Sequence, residues 1–180
     1  MAITDGEKLI ITMLADLHES LKVNGSVDAA FVRQHIDSDF WAIKREYSGI
    51  FGDGEREEAD IAFVQNALDM WRIIEASYEN LTEDEQVLVR AAKGSFGTAP
   101  RFGGFDGHTE YPTIARTLIV SLRGWDEFKD RPMDSHSPDT AVHARMVEAY
   151  KGLRAKNQGR LFPVDDVIAV IDAQIHPTRR

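Results

Sequence analysis

The sequence predicts an all-α protein of about seven to eight helices, and three observations support that prediction. Apolar residues recur at three- and four-residue steps along most of the chain, which is the spacing of one helix face. β-branched residues follow the same steps and do not alternate as they would in strands. Hydrophobic residues make up 43% of the 180 residues, which is enough to build a core.

One clear break divides this pattern. Gly52-Asp53-Gly54 combines residues that favour turns and disfavour helix interiors. We therefore expect an N-terminal helical subdomain over 1–52 and a helical core over 53–180. A chain of this length suits one compact unit that contains both parts.

The first helix begins at a capping-box pattern, in which Thr4 is followed three residues later by Glu7. Asn24-Gly25 ends this helix. Its apolar residues share one face: Ile10, Met13, Leu14, Leu17 and Leu21. Two shorter helices are expected next, one ending near His35 and one that follows the acidic run at 37–39.

The longest helix is expected over roughly 57–80, where apolar residues lie three or four apart and acidic residues fill the other side. A second capping-box pattern, Thr82 with Glu85, begins the helix after it. Two further helices are expected near the C-terminus, one around 142–153 and one between Pro163 and Pro177.

The most apolar stretch of the chain, "TIARTLIVSLRGW", predicts a largely buried helix near 113–125. It leaves little polar face because apolar residues occupy most of its positions: Ile114, Leu118, Ile119, Val120, Leu122 and Trp125. A helix that is apolar on nearly all sides must be covered by its neighbours. We expect it to lie at the centre of the fold.

Composition excludes several classes of function. With 21 basic and 30 acidic residues the formal net charge is −9, which disfavours general binding to a nucleic-acid backbone. The chain has no cysteine, so it can form no disulfide, thiolate nucleophile or thiolate metal site. There is neither a secretory h-region nor an apolar run of membrane-spanning length, so we expect a soluble cytoplasmic protein with no membrane contact.

The segment "APRFGGFDGHTEYP", 99–112, holds the candidate binding residues Arg101, Asp106, His108 and Glu110. Imidazole and carboxylate groups both suit divalent metals such as zinc or manganese. The favoured interpretation is architectural: Asp106 or Thr109 caps the next helix, and Glu110 lies in its first turn. Under that interpretation the segment holds no metal ligand and no catalytic residue.

Two other interpretations of nearby residues stay open. The glycines of the 94–110 segment could admit a phosphate beside Arg101, although no Walker lysine follows them. Asp134, His136 and His143 could complete a site with His108, although nothing in their spacing requires it.

Nucleic-acid binding is a third possibility, because the two short helices before Ile50 have the outline of a helix-turn-helix. Arg33, Lys44 and Arg45 supply positive charge there. The segment 53–85 that follows contains eleven acidic and only two basic residues, which would repel a duplex. We therefore do not expect nucleic acid as a partner.

The segment from Gly104 to Glu110 resembles the YfbU-like family of bacterial proteins, which carries Gly-Phe-Asp-x-x-Thr-Glu before an apolar helix. "GEKLII" at the start of the chain and "HARMVEAYKGL" near its end are similar to the family as well, so the resemblance covers roughly 6–154. It implies a multihelical, soluble homo-oligomer and supplies no catalytic residues. Gly107-His108 stands where the family has two alanines, so the resemblance gives His108 no role.

We therefore expect a non-enzymatic, self-associating helical protein that acts through protein–protein contacts and needs no cofactor. A basic run near the C-terminus could pair with the acidic flank of another copy, which would make association sensitive to salt: Lys151, Arg154, Lys156 and Arg160. One alternative is a metal-dependent or phosphate-binding enzyme with its site in the 94–110 segment. The second is a nucleic-acid-binding regulator.

Overall fold

A computed structural model describes residues 3–51, 59–137, 139–176 and 178. Over these residues the chain forms nine α-helices and no β-strand, which confirms the all-α prediction. The helices are α1 (Asp5–Ser20), α2 (Ala29–His35), α3 (Phe40–Glu46), α4 (Ser48–Phe51), α5 (Ala59–Asn80), α6 (Glu83–Ala91), α7 (Tyr111–Arg116), α8 (Thr140–Lys156) and α9 (Val164–Asp172).

The described residues divide into two compact units. The first comprises those of 1–57 together with 117–124, and the second comprises those of 58–116 and 125–180. Gly52-Asp53-Gly54 lies outside the described residues, so the division of the chain at 52/53 stays a prediction.

In the first unit, α1 begins at the expected capping box. The hydroxyl of Thr4 accepts a hydrogen bond from the Glu7 backbone N–H at 3.3 Å, and the Glu7 carboxylate accepts one from the Thr4 N–H at 2.8 Å. One side of α1 packs against α2. Ile11 on that side contacts a small core formed by Val32, Ile36 and Ile43.

Asp39 precedes α3 but does not cap it. Its carboxylate instead accepts hydrogen bonds from the indole of Trp41 and the hydroxyl of Thr117, both at 3.2 Å. The ring of His35 is buried and its Nδ1 lies 3.6 Å from the same carboxylate. The polar groups of Asp39 are therefore used to join α2 and α3 to the segment that starts at Thr117.

The second unit is built around α5, which packs against α7, α8 and α9. The apolar spacing seen in the sequence is a buried face here, with Ile61, Val64, Leu68 and Ile74 almost wholly inaccessible. Because this stripe is covered along its length, α5 is the central helix of the unit.

The helix predicted near 113–125 is present but shorter. It runs as α7 from Tyr111 and continues as a π-helical turn, Thr117–Ser121. Leu118 and Ile119 are buried as expected, whereas Val120 is 53% exposed. The chain leaves the helix because Arg123 adopts a left-handed backbone with φ of 52°. Among the described residues, no helix combines the length and the apolar character needed to cross a bilayer.

Candidate functional site

The 94–110 segment is anchored at its start by a close backbone approach. The N–H of Gly94 donates to the Asp172 carboxylate at 2.8 Å. A Cβ on Gly94 would lie 2.2 Å from the carbonyl oxygen of Ile171, at the end of α9, so only glycine fits. The first glycine of the segment therefore permits packing and does not cradle a phosphate.

Two phenylalanines hold the middle of the segment against the second unit's core. Phe102 and Phe105 are fully buried, and their rings lie 5.2 Å apart in an edge-on arrangement. The N–H of Phe102 donates to Glu75 at 2.6 Å, and that carboxylate also pairs with both terminal nitrogens of Arg131. The N–H of Phe105 donates to the Met133 carbonyl at 2.8 Å.

The carboxylate of Asp106 closes a turn inside the segment. It accepts a hydrogen bond from the His108 backbone N–H at 3.0 Å, and the ring Nδ1 of His108 lies 3.1 Å away. The pKa of Asp106 lies below its ordinary value, chiefly because that backbone N–H favours the charged form. The carboxylate is thus ionised at neutral pH and already paired.

The entry into α7 differs in detail from the expected cap. The Thr109 hydroxyl donates to the Asp106 carbonyl at 2.7 Å and accepts from the Tyr111 N–H at 3.3 Å. Asp106 therefore shapes the turn before the helix, while Thr109 binds a backbone donor at the start of α7. Main-chain partners occupy the oxygens of both residues, as the architectural interpretation requires.

The four candidate residues do not form one cluster. Asp106 and His108 are in contact, whereas Arg101 and Glu110 are exposed and make no described hydrogen bond or ion pair with either. The His108 side chain is 91% exposed, so it points into solvent. The structure therefore brings together two of the four.

The additional histidines form separate pairs. His136 lies 3.2 Å from Asp134, and the buried His143 lies 3.5 Å from Asp139. Within the ranges that the structure describes, no three His, Asp or Glu side chains are arranged to hold a metal ion. His108, His136 and His143 each have their own carboxylate partner and do not share a site.

The positive charges of the helix-turn-helix alternative are also engaged. Arg33 forms ion pairs with Asp16 and Glu19 of α1, at 3.1 and 3.0 Å. The Lys44 ammonium lies 5.3 Å from the centre of the Phe40 ring. These contacts reduce the charge that α2 and α3 could present to a phosphate backbone.

A different surface has groups without such partners. One face of α1 presents large apolar side chains to solvent, with exposed fractions between 55% and 72%. We define this outer face of α1 by six residues: Leu9, Ile10, Met13, Leu14, Leu17 and Leu21. Ala15, on the opposite side of the helix, is the one described buried residue of α1.

The outer face has regular geometry. Ile10, Leu14, Leu17 and Leu21 follow one another at steps of four, three and four residues, which places them in a single line along the helix. Alternating three- and four-residue steps are the pattern of helices that pack side by side. The outer face is therefore the best candidate functional site, and it is suited to binding another apolar surface.

The sequence contained the apolar face but did not reveal that it is uncovered. One signal was present: apolar residues also lie on the other side of α1, at Ile11 and Ala15. A helix that packs on its own unit with one side and carries a second apolar stripe has more apolar surface than that unit buries.

Comparison with known proteins assigns the chain to a family. No curated protein and no solved structure matches it at a significant level. The family model described as the YfbU domain matches residues 1–173, which include both α1 and the 94–110 segment. The resemblance indicated by Gly104, Phe105, Asp106, Thr109 and Glu110 is thereby confirmed, and the chain belongs to the YfbU family.

Proposed function

We propose that this YfbU-family chain is a non-enzymatic, self-associating helical protein of the cytoplasm that acts through protein–protein contacts. The observation that carries the proposal is the outer face of α1, where six large apolar side chains are each more than half exposed. Soluble monomers rarely expose a contiguous apolar patch larger than a few hundred Å². A chain without cysteine is compatible with a reducing compartment.

The energetic argument favours association. Burying the exposed part of one such side chain, on the order of 100 Å², stabilises a complex by about 2.5 kcal/mol, at roughly 25 cal/mol per Å². Six side chains from each copy therefore offer enough gross stabilisation to offset the entropy lost on binding, which is roughly 4–15 kcal/mol. In the described 94–110 segment, the enzymatic alternative has less support, because Asp106 and Thr109 are already bound by the main chain.

The proposal is tested by sedimentation of two matched variants. Leu17→Glu places a charge on the outer face, and Leu88→Glu places one on a similarly exposed leucine of α6, at 55% and 56% exposure respectively. We expect the wild-type protein to sediment as an oligomer. Leu17→Glu should weaken association at least about tenfold, because burying an unpaired charge costs more than about 1.4 kcal/mol.

Leu88→Glu is the control, and two results would contradict the proposal. Leu88→Glu should sediment like the wild type, and circular dichroism should show equal helix content in all three proteins. A monomeric wild type at high protein concentration would disprove the proposal. Loss of the oligomer in Leu88→Glu but not in Leu17→Glu would place the contact on another surface.

A further inference from the structure

We propose that the outer face of α1 binds α1 of a second copy, and that the two helices lie antiparallel. Ile10 then faces Leu21 of the second copy, and Leu14 faces Leu17. This inference rests on the proposed function, because it names the partner of the same surface and its orientation.

The spacing of the apolar line suits a two-fold arrangement. Steps of four, three and four residues from Ile10 to Leu21 read the same from either end. A two-fold axis between Leu14 and Leu17 therefore superimposes the line on itself, as a symmetric dimer interface requires. A second copy supplies a matching line of the same length.

Charge favours the antiparallel orientation. Asp5 and Glu7 lie in the first turn of α1, while His18 lies in its last turn and Lys22 directly follows the helix. The pKa of Glu7 is lowered, chiefly because the Thr4 backbone N–H donates to its carboxylate, so Glu7 is negative at neutral pH. Antiparallel helices place this acidic end beside Lys22 of the second copy, whereas parallel helices place like charges together.

The acidic residues in the second half of α1 oppose this pairing only in part, because one guanidinium offsets one of their two charges. Asp16 and Glu19 are both bound to Arg33 within the same copy. The helix dipoles act in the same direction as the side-chain charges, because antiparallel helices set a partly positive end beside a partly negative one.

The exposed area also fits a second copy. Each of the six residues exposes on the order of 100 Å², and a stable dimer buries about 800 Å² on each partner. The outer face supplies most of that area.

The orientation is tested by disulfide formation, because the chain has no cysteine and every thiol is one that is introduced. Ile10→Cys and Leu21→Cys are purified separately and oxidised alone and as an equal mixture. Antiparallel helices bring residue 10 close to residue 21 of the second copy, within the short range that a disulfide bridges. We expect a cross-linked dimer in the mixture and little in either variant alone.

The other outcomes separate this inference from the proposed function. Cross-linking of each variant with itself, at a level equal to the mixture, would show parallel helices and overturn the inference while self-association stands. An oligomeric wild type with no cross-link in any sample would place the contact elsewhere and also overturn it. A monomeric wild type would disprove both.

Two controls accompany the experiment. Leu88→Cys mixed with Ile10→Cys should give no cross-link, because Leu88 lies on α6. Ile10 and Leu21 are both exposed in the single chain, so their substitution should leave helix content unchanged. If either cysteine variant loses helix content, sedimentation of Leu14→Lys mixed with Leu17→Glu provides the second measurement: the mixed pair should associate more strongly than either variant alone.

Discussion

Helices α1 and α5 carry apolar stripes of similar spacing, yet the two stripes have opposite surroundings. Along α5 the stripe is covered by α7, α8 and α9, and residues such as Leu68 and Ile74 are wholly inaccessible. Along α1 the outer face is exposed, and Ala15 on the other side is its one described buried residue. The same local pattern thus builds a core in one unit and leaves an exposed apolar face in the other. Periodicity reports that a helix has an apolar face, but it does not report what covers that face.

The largest expected effect comes from truncating one leucine in each helix and comparing the two changes in stability. Leu68→Ala should destabilise the second unit by about 2–5 kcal/mol, because it opens a cavity in a closely packed core. Leu17→Ala should change the stability of the dilute, monomeric chain by less than about 0.5 kcal/mol, as exposed positions do. Urea unfolding followed by circular dichroism measures both.

That measurement is made at low protein concentration, because association would add stability to the wild type. Equal destabilisation by the two truncations under those conditions would mean that the outer face of α1 is covered within a single chain. The comparison between the two helices would then fail.

A second test asks whether the 94–110 segment is tightly packed against α9, as the stripe of α5 is packed against its neighbours. Gly94→Ala would place a Cβ 2.2 Å from the backbone oxygen of Ile171, and backbone cannot move aside cheaply. We expect it to cost about 1–3 kcal/mol of unfolding free energy. Gly103→Ala is the matched control in the same segment, since nothing lies within 4 Å of its added Cβ.

Thermal or urea unfolding of the two glycine variants decides the point. If Gly103→Ala lowers the unfolding free energy as much as Gly94→Ala does, the effect comes from the general stiffness of the segment. The close contact between Gly94 and α9 would then not be its cause. A neutral Gly94→Ala would show that the segment is loosely held.

A smaller effect on stability is expected when a buried carboxylate is compared with an exposed one. Burial of Asp166 opposes its charge, but hydrogen bonds from Asn157 and Lys156 outweigh this and lower the pKa of Asp166. A lowered pKa stabilises the folded state above the ordinary pKa of an aspartate. That stabilisation is lost as the pH falls through the pKa of the folded state.

Asp166→Asn should therefore cost about 1–2 kcal/mol at neutral pH, and the difference from wild type should shrink in acid. Asp37→Asn is the exposed comparison, since Asp37 pairs with Lys8 on the surface and should show no measurable change. Urea midpoints measured from neutral pH down to about pH 3 test both variants. A constant difference for Asp166→Asn over that range would contradict the charge-based explanation.

Much of the fold could be predicted because helix signals are local. Thr4 with Glu7 and Thr82 with Glu85 form the expected capping boxes, in which each contact spans three residues. The end of α7 could not be predicted in this way. The predicted helix near 113–125 was too long, because a π-helical turn closes the helix at Thr117–Ser121 and Arg123 then adopts a left-handed backbone.

The candidate site was predicted less well. The residues of the 99–112 segment are the types that metals and phosphates bind, and composition alone cannot show that Asp106 is already held by the His108 N–H. Conversely, the sequence predicts that the leucines of α1 share one face, but it does not indicate that this face is exposed to solvent. In each case the missing fact was whether a group has a partner within the folded chain.

By itself the sequence determined that this chain is helical, where most of its helices begin, and that it belongs among acidic proteins without thiol chemistry. Only the tertiary structure decided which apolar stripes are covered and which polar groups are paired. The physical reason is range: a cap or a helix face is set by residues within four positions of each other, whereas burial is set by surfaces that meet only after the chain has folded.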